Sequence, residues 1–237
     1  MRKIVLKSVL LAAAVLSLAA CGFMQFQRRE PWRSRAEATC LERKLVVESE
    51  FMTLDRPINK GACGMDSPFK VTAFAGGAVQ VKTKQTLACP IIPAIEAWIA
   101  EVVQPAAELY FGSQVVGIHA GSYSCRGRNN VRGAKLSEHS FGNALDVLTF
   151  TLADETVISV EKGWGGTEAE SGFLREVFIG GCAYFTTALG PGSDKYHYNH
   201  FHLDLARHDK DWKNHYCRPI LKFVPRLTYQ RPNPYRK

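Results

Sequence analysis

Residues 197–204, HYNHFHLD, place three of the chain's seven histidines within six positions and close on Asp204. A neutral imidazole is a common metal ligand, and one that titrates near neutrality can also move protons. A second stretch, SEHSFGNALD at 137–146, offers His139 and Asp146. A catalytic zinc takes three protein ligands and keeps a further position open for water. The spacing from His139 to Asp146 does not suit one helix face. It suits a loop ligand and a strand ligand joined by a tight turn, with Gly142 freeing the backbone and small Ala144 permitting close approach to a metal. On a strand, residues two apart share a side, so His200 and His202 project together while Phe201 turns into the core. Either histidine can complete a His-Asp-His site. The other then lies beside the bound water, where an acid or base is needed. His197 precedes the strand and can enter the same pocket.

These residues need elements to position them. Apolar residues recur at helical spacing from Cys89 to Phe111 (Ile95, Trp98, Ile99, Val102, Val103, Ala106, Leu109), which predicts a helix buried on one face and kinked at Pro105. Residues 114–119, QVVGIH, read as a strand. Leu145–Phe150 and Val157–Val160 read as two more, and the ADET turn at 153–156 makes them a hairpin. Gly172–Leu189 reads as an amphipathic helix stopped by Gly190-Pro191-Gly192, and Phe201–Leu205 as a last strand. With few βαβ units, the order predicts an α+β fold with a small, mainly antiparallel sheet flanked by helices.

The chain opens MRKIVLKSVLLAAAVLSLAAC. A basic start, an apolar run too short for a comfortable membrane span and a small-residue end read as a secretory signal over residues 1–20. Leu18-Ala19-Ala20-Cys21 resembles a bacterial lipobox, which makes Cys21 the lipidated residue. Gly22, where an Asp would signal inner-membrane retention, points to the outer membrane. The formal charge of +8, less the three cations of residues 1–20, leaves +5. Hydrophobic content of 46% suits a globular domain of ordinary size. Residues 21–36 read as a basic tether, 37–217 as the domain and 218–237 as a basic, proline-rich tail that either grips an anionic polymer or wraps the domain. Apart from Cys21, six cysteines remain, an even number that predicts three disulfides in an exported protein. Their pairing is not fixed by the sequence. No CxxC pair occurs, which argues against a cysteine-ligated metal. Export leaves the positive charge with no nucleic acid to bind.

SEHSFGNALD fits the S-x-H-x-x-G-x-A-x-D pattern of D-Ala-D-Ala metallopeptidases. HFH fits the H-x-H pattern of the wider group that joins them to lysostaphin-type endopeptidases and the hedgehog domain. Residues from about 60 to 206 resemble the bacterial extensin-like C-terminal family, which is placed in that superfamily. The resemblance implies a hedgehog/D-Ala-D-Ala-peptidase-like fold with one zinc held by His139, Asp146 and His202, and His200 as the catalytic histidine. Where many D-Ala-D-Ala enzymes carry a catalytic Glu, this chain has Asn199, which cannot act as a base. His197, His200 and His202 instead match the H-x-x-H-x-H spacing of penicillin-insensitive murein endopeptidases. SYSCR resembles the S-x-Y-R-S stretch whose arginine faces substrate, so Arg126 is the matching residue, with Arg128 in reserve. Cys125 beside it would anchor the loop through a disulfide.

The implied function is zinc-dependent amide hydrolysis in peptidoglycan, by a protein lipid-anchored at Cys21 and facing the periplasm. The alternatives are a non-catalytic zinc-containing wall-binding lipoprotein and a structural lipoprotein without metal. Ser137 is expected to hydrogen-bond within the His139 loop. Asp204 is expected either to orient an imidazole or to serve as a plain surface or capping residue. Glu138 sits next to a ligand with no reason to face the water. His119, His208 and His215 are expected to be structural, and Trp164 to be core or groove wall.

Overall fold

Strands β1 (Met52–Leu54), β4 (Pro68–Phe74), β5 (Val79–Ala88), β6 (Val115–Gly121), β7 (Ala144–Leu152), β10 (Phe201–Asp204), β9 (Thr187–Leu189) and β11 (Tyr216–Arg218) lie side by side in that order. β8 (Val157–Ser159) pairs with β7 to complete a nine-stranded sheet, and β2 (Ile58–Lys60) pairs with β3 (Cys63–Met65) apart from it. The computed structural model describes residues 28–229. The signal peptide, Cys21, the start of the tether and the end of the tail lie outside them. The β5–β6 and β9–β11 pairings are parallel and the remaining pairings of the large sheet antiparallel. The fold is α+β with a mainly antiparallel sheet, as expected, but the sheet is larger than the small one predicted. β5 alternates buried Val79 and Val81 with exposed Gln80 and Lys82, a period-2 signal that was legible in the sequence and not read.

The helices α1 (Pro31–Glu42), α2 (Ile92–Trp98), α3 (Gln104–Phe111), α4 (Val160–Gly163) and α5 (Glu168–Tyr184) complete the fold. Between α2 and α3 the segment Ile99–Val103 is a π-helical turn. Pro105 lacks an N–H and crowds the carbonyl four residues back, so the wider turn takes up the irregularity just upstream of it. α5 starts four residues before its predicted start because Thr167 and Glu170 form a capping box. It ends at Tyr184, and Thr187–Leu189, predicted as helix, is strand β9 beside β10. The 145–160 hairpin is present, closed by Leu152 N–H donating to Thr156 O. Trp98, Phe150, Phe173, Phe178, Phe185 and Phe201 form the aromatic centre of the core. Trp164, half-buried, packs on Phe178 and Phe201 at the edge of the core.

One terminal segment departs from expectation, and the other lies on the domain. Residues 31–36, placed in the tether, are the first turns of α1, with Arg33, Glu37 and Cys40 buried. In the tail, Leu221, Leu227 and Tyr229 pack against the core. The disulfides join Cys40–Cys89, Cys63–Cys125 and Cys182–Cys217. Each closes a long loop, worth about 4 kcal/mol in the chain-entropy treatment. Among the described residues, no helix is long and apolar enough to cross a membrane.

Candidate metal centre

β7 and β10 place the central pair. Their antiparallel register sets His202 opposite Asp146 and Phe201 opposite Val147. Strand alternation then sends Phe201, Val147, Leu145 and Leu203 into the core and His202 and Asp146 to the opposite face. His139 enters from a 3-10 turn, Glu138–Phe141, just before β7. Ser137 caps that turn, its Oγ accepting the His139 N–H. Gly142 ends the turn at φ 60°, and a Cβ there would meet Met65 Sδ at 2.1 Å. Only glycine fits both the left-handed backbone and the space. Ser140 knits the turn to the preceding loop, since its Oγ donates to Arg126 O at 2.8 Å and accepts from Arg126 N. Cys63–Cys125 ties that loop to β3, so a disulfide does anchor it.

Three electron-rich groups converge. His139 Nε2 lies 3.1 Å from His202 Nδ1 and 3.0 Å from Asp146 Oδ2, and His202 Nδ1 lies 2.9 Å from Asp146 Oδ1. The outer ring nitrogens are already committed. His139 Nδ1–H donates to Ser122 O at 2.5 Å, and His202 Nε2–H donates to Asp204 Oδ2 at 2.8 Å. A carbonyl only accepts, so His139 presents a lone pair at Nε2. Neutral His202, with its proton on Nε2, presents one at Nδ1. Two lone pairs and a carboxylate within about 3 Å repel one another unless a cation sits among them. A single proton relieves one such contact and a divalent metal relieves all three. Tetrahedral ligands at about 2.0–2.1 Å from a metal stand ~3.3 Å apart, close to the separations found. His139, Asp146 and His202 thus form a group that could hold a metal ion. The bonds to Ser122 and Asp204 are the outer contacts that fix ligand histidines in metal sites. Asp204 therefore orients an imidazole and is not a surface residue.

The acidities show the same demand for positive charge within the group. Burial works to raise the Asp146 carboxyl, yet hydrogen bonds and charge from His139 and His202 hold it well below the usual range. Burial disfavours charge on His202, but Asp146 and Asp204 push it up to about 10. Burial, with the neighbouring histidines, holds His200 below its ordinary value against the pull of Asp146.

A cavity of about 560 Å³ opens over this group and also holds His197, His200, Arg126 and Arg128 at its walls. Every residue singled out for metal or catalysis in the domain is therefore brought together. His200 Nε2 is 3.5 Å from Asp146 Oδ1, and its Nδ1–H donates to Asn199 Oδ1 at 2.8 Å. Arg126 Nη2 is 3.7 Å from Asp146 Oδ2. His197 Nδ1 is 2.7 Å from Asp194 Oδ1. Sequence reasoning missed Asp194, although its place three residues before a histidine was a usable signal. It also missed Ser122, Ser140 and Thr187. His208, expected to be structural, lines the cavity with Nε2 2.9 Å from Thr187 Oγ1. Glu138 also lines the cavity, but its carboxylate is committed: Arg33 grips its two oxygens at 2.6 and 2.8 Å, and Asn143 donates to it.

Fold and site together define an α+β domain with a buried His-Asp-His group at a cavity floor. The chain belongs to the family described as extensin-like protein C-terminus, whose model matches residues 38–218. No curated protein and no solved structure matches it.

Proposed function

We propose that the protein is a zinc-dependent peptidase that hydrolyses amide bonds in peptidoglycan stems or crosslinks. The observation that carries this reading is the convergence of His139 Nε2, His202 Nδ1 and the Asp146 carboxylate beneath a cavity that also holds His200 and Arg126. Zinc suits a set of two imidazoles and one carboxylate. Bound there, it would supply a Lewis acid and bring the pKa of water toward ~7.

The chain's own groups do the rest. Asn199, unable to act as a base, fixes the His200 tautomer by accepting from Nδ1–H, which leaves Nε2 facing Asp146 as the proton acceptor. Asp194 orients His197 in the same way and leaves its Nε2 as a second proton-holding atom in the cavity. Arg126, with Arg128 beyond it, offers guanidinium donors to a carbonyl oxygen that gains charge or to a peptide carboxylate. The kinship to lysostaphin-type and D-Ala-D-Ala metallopeptidases that the two motifs suggest belongs to this proposal. So does the location, with the signal-like start and Cys21 supporting a lipid-anchored protein facing the periplasm from the outer membrane.

The test is mass spectrometry of peptidoglycan incubated with the zinc-loaded protein, with chelator and the His200→Ala variant as controls. Cleaved muropeptides that disappear in both controls support the reading, and their masses name the bond. Intact peptidoglycan with folded, zinc-bound protein refutes it in favour of a non-catalytic wall-binding lipoprotein.

A further inference from the structure

The segment 218–229, RPILKFVPRLTY, carries three cations and no acid. It is clamped onto α5 at both ends. Cys217 is disulfide-bonded to Cys182, while the backbone N–H groups of Arg226 and Leu227 and the Tyr229 hydroxyl donate to Glu176. Residues 176 and 182 stand only ~9 Å apart along a helix, whereas the nine residues from 217 to 226 can span about 30 Å. The segment is therefore longer than the straight path between its clamps and cannot lie extended along α5. Burial alternates along it. Leu221, Phe223, Pro225 and Leu227 are half-buried, and Arg218, Ile220, Lys222, Val224 and Arg226 are exposed. Ile220 and Val224, at 78% and 84% exposure, are the most exposed large apolar side chains among the described residues.

From this geometry we infer that the strap docks the domain on an anionic lipid bilayer. Lys and Arg near such a surface each strengthen binding, and aliphatic side chains between them enter the headgroup–acyl boundary. A hydrated anionic polymer would attract the cations equally, but would give Ile220 and Val224 nothing to bury against. The inference is independent of the peptidase reading, since it uses no residue of the cavity.

The test is co-sedimentation of the full chain with vesicles of phosphatidylcholine alone or with added phosphatidylglycerol. Comparing variants cancels any binding through other segments. Lys222→Ser should weaken partitioning to the anionic vesicles about fivefold at low salt. Ile220→Ser/Val224→Ser should weaken it about tenfold, with unchanged melting temperatures in both. Equal partitioning of wild type and both variants overturns the inference. So does a loss confined to the charge variant and matched by loss of binding to purified peptidoglycan, which would make the strap a polymer-binding surface.

Discussion

Arg33 and Glu138, 105 residues apart, form a buried bidentate ion pair that joins the first turns of α1 to the residue preceding His139. The Arg33 guanidinium also lies 3.8 Å from the centre of the Phe141 ring, within the same ligand turn. α1 thus braces the turn that carries His139, although Arg33 lies upstream of the 38–218 span the family model matches.

Removing one partner of a buried pair leaves the other charge without compensation. Arg33→Met should cost about 3–5 kcal/mol, read by urea unfolding. Arg33→Met/Glu138→Leu should recover part of that loss, because no charge then remains buried. A chain cut to residues 38–218 should be destabilised in the same sense. A single variant as stable as wild type would show that the pair contributes little.

Asp194 is predicted to act only through His197. Burial favours its neutral form, but hydrogen bonds from Tyr196 N–H, from His197 N–H and from the imidazole hold its carboxyl below the usual value. A depressed carboxyl keeps its contribution above its unfolded-state pKa and loses it as pH falls through the folded value, so the hold on His197 persists at neutral pH and fails only on the acid side, below about 4. Asp194→Asn should lower kcat about 10–100-fold at pH 7, with KM and bound metal nearly unchanged. Loss of metal in that variant would contradict a role confined to orientation.

Much of the site was legible because its chemistry is local. A glycine turn, a period-2 strand and an H-x-H pair suffice to nominate His139, Asp146, His200 and His202. What brings them together is the β7–β10 register, a long-range pairing that the sequence does not encode in any window. Arg33–Glu138 was illegible for the same reason, as was the disulfide pairing. Other misses were of signals actually present. The Thr167–Glu170 capping box marks the start of α5, and the alternation in β5 marks a strand. Thr186 and Thr187 are β-branched residues better suited to a strand than to the end of a helix.

Metal removal should destabilise the fold. A ligand present at 100–1,000 times its Kd contributes roughly 3–4 kcal/mol, and chelation should also release the mutual repulsion of the ligand atoms. Chelator should therefore lower the melting temperature by about 6–16 °C, and one equivalent of zinc should restore it. Identical melting curves with and without chelator would mean that the His-Asp-His group holds no ion of consequence.

The most direct test of the central claim is X-ray absorption at the zinc edge of the purified protein, together with its metal content. The expected result is one zinc per chain with nitrogen and oxygen neighbours at about 2.0–2.1 Å, no sulfur shell, and loss of the ion in His202→Ala and Asp146→Ala but not in His200→Ala. Substoichiometric metal, sulfur ligation, or zinc retained in full by the His202 and Asp146 variants would contradict it.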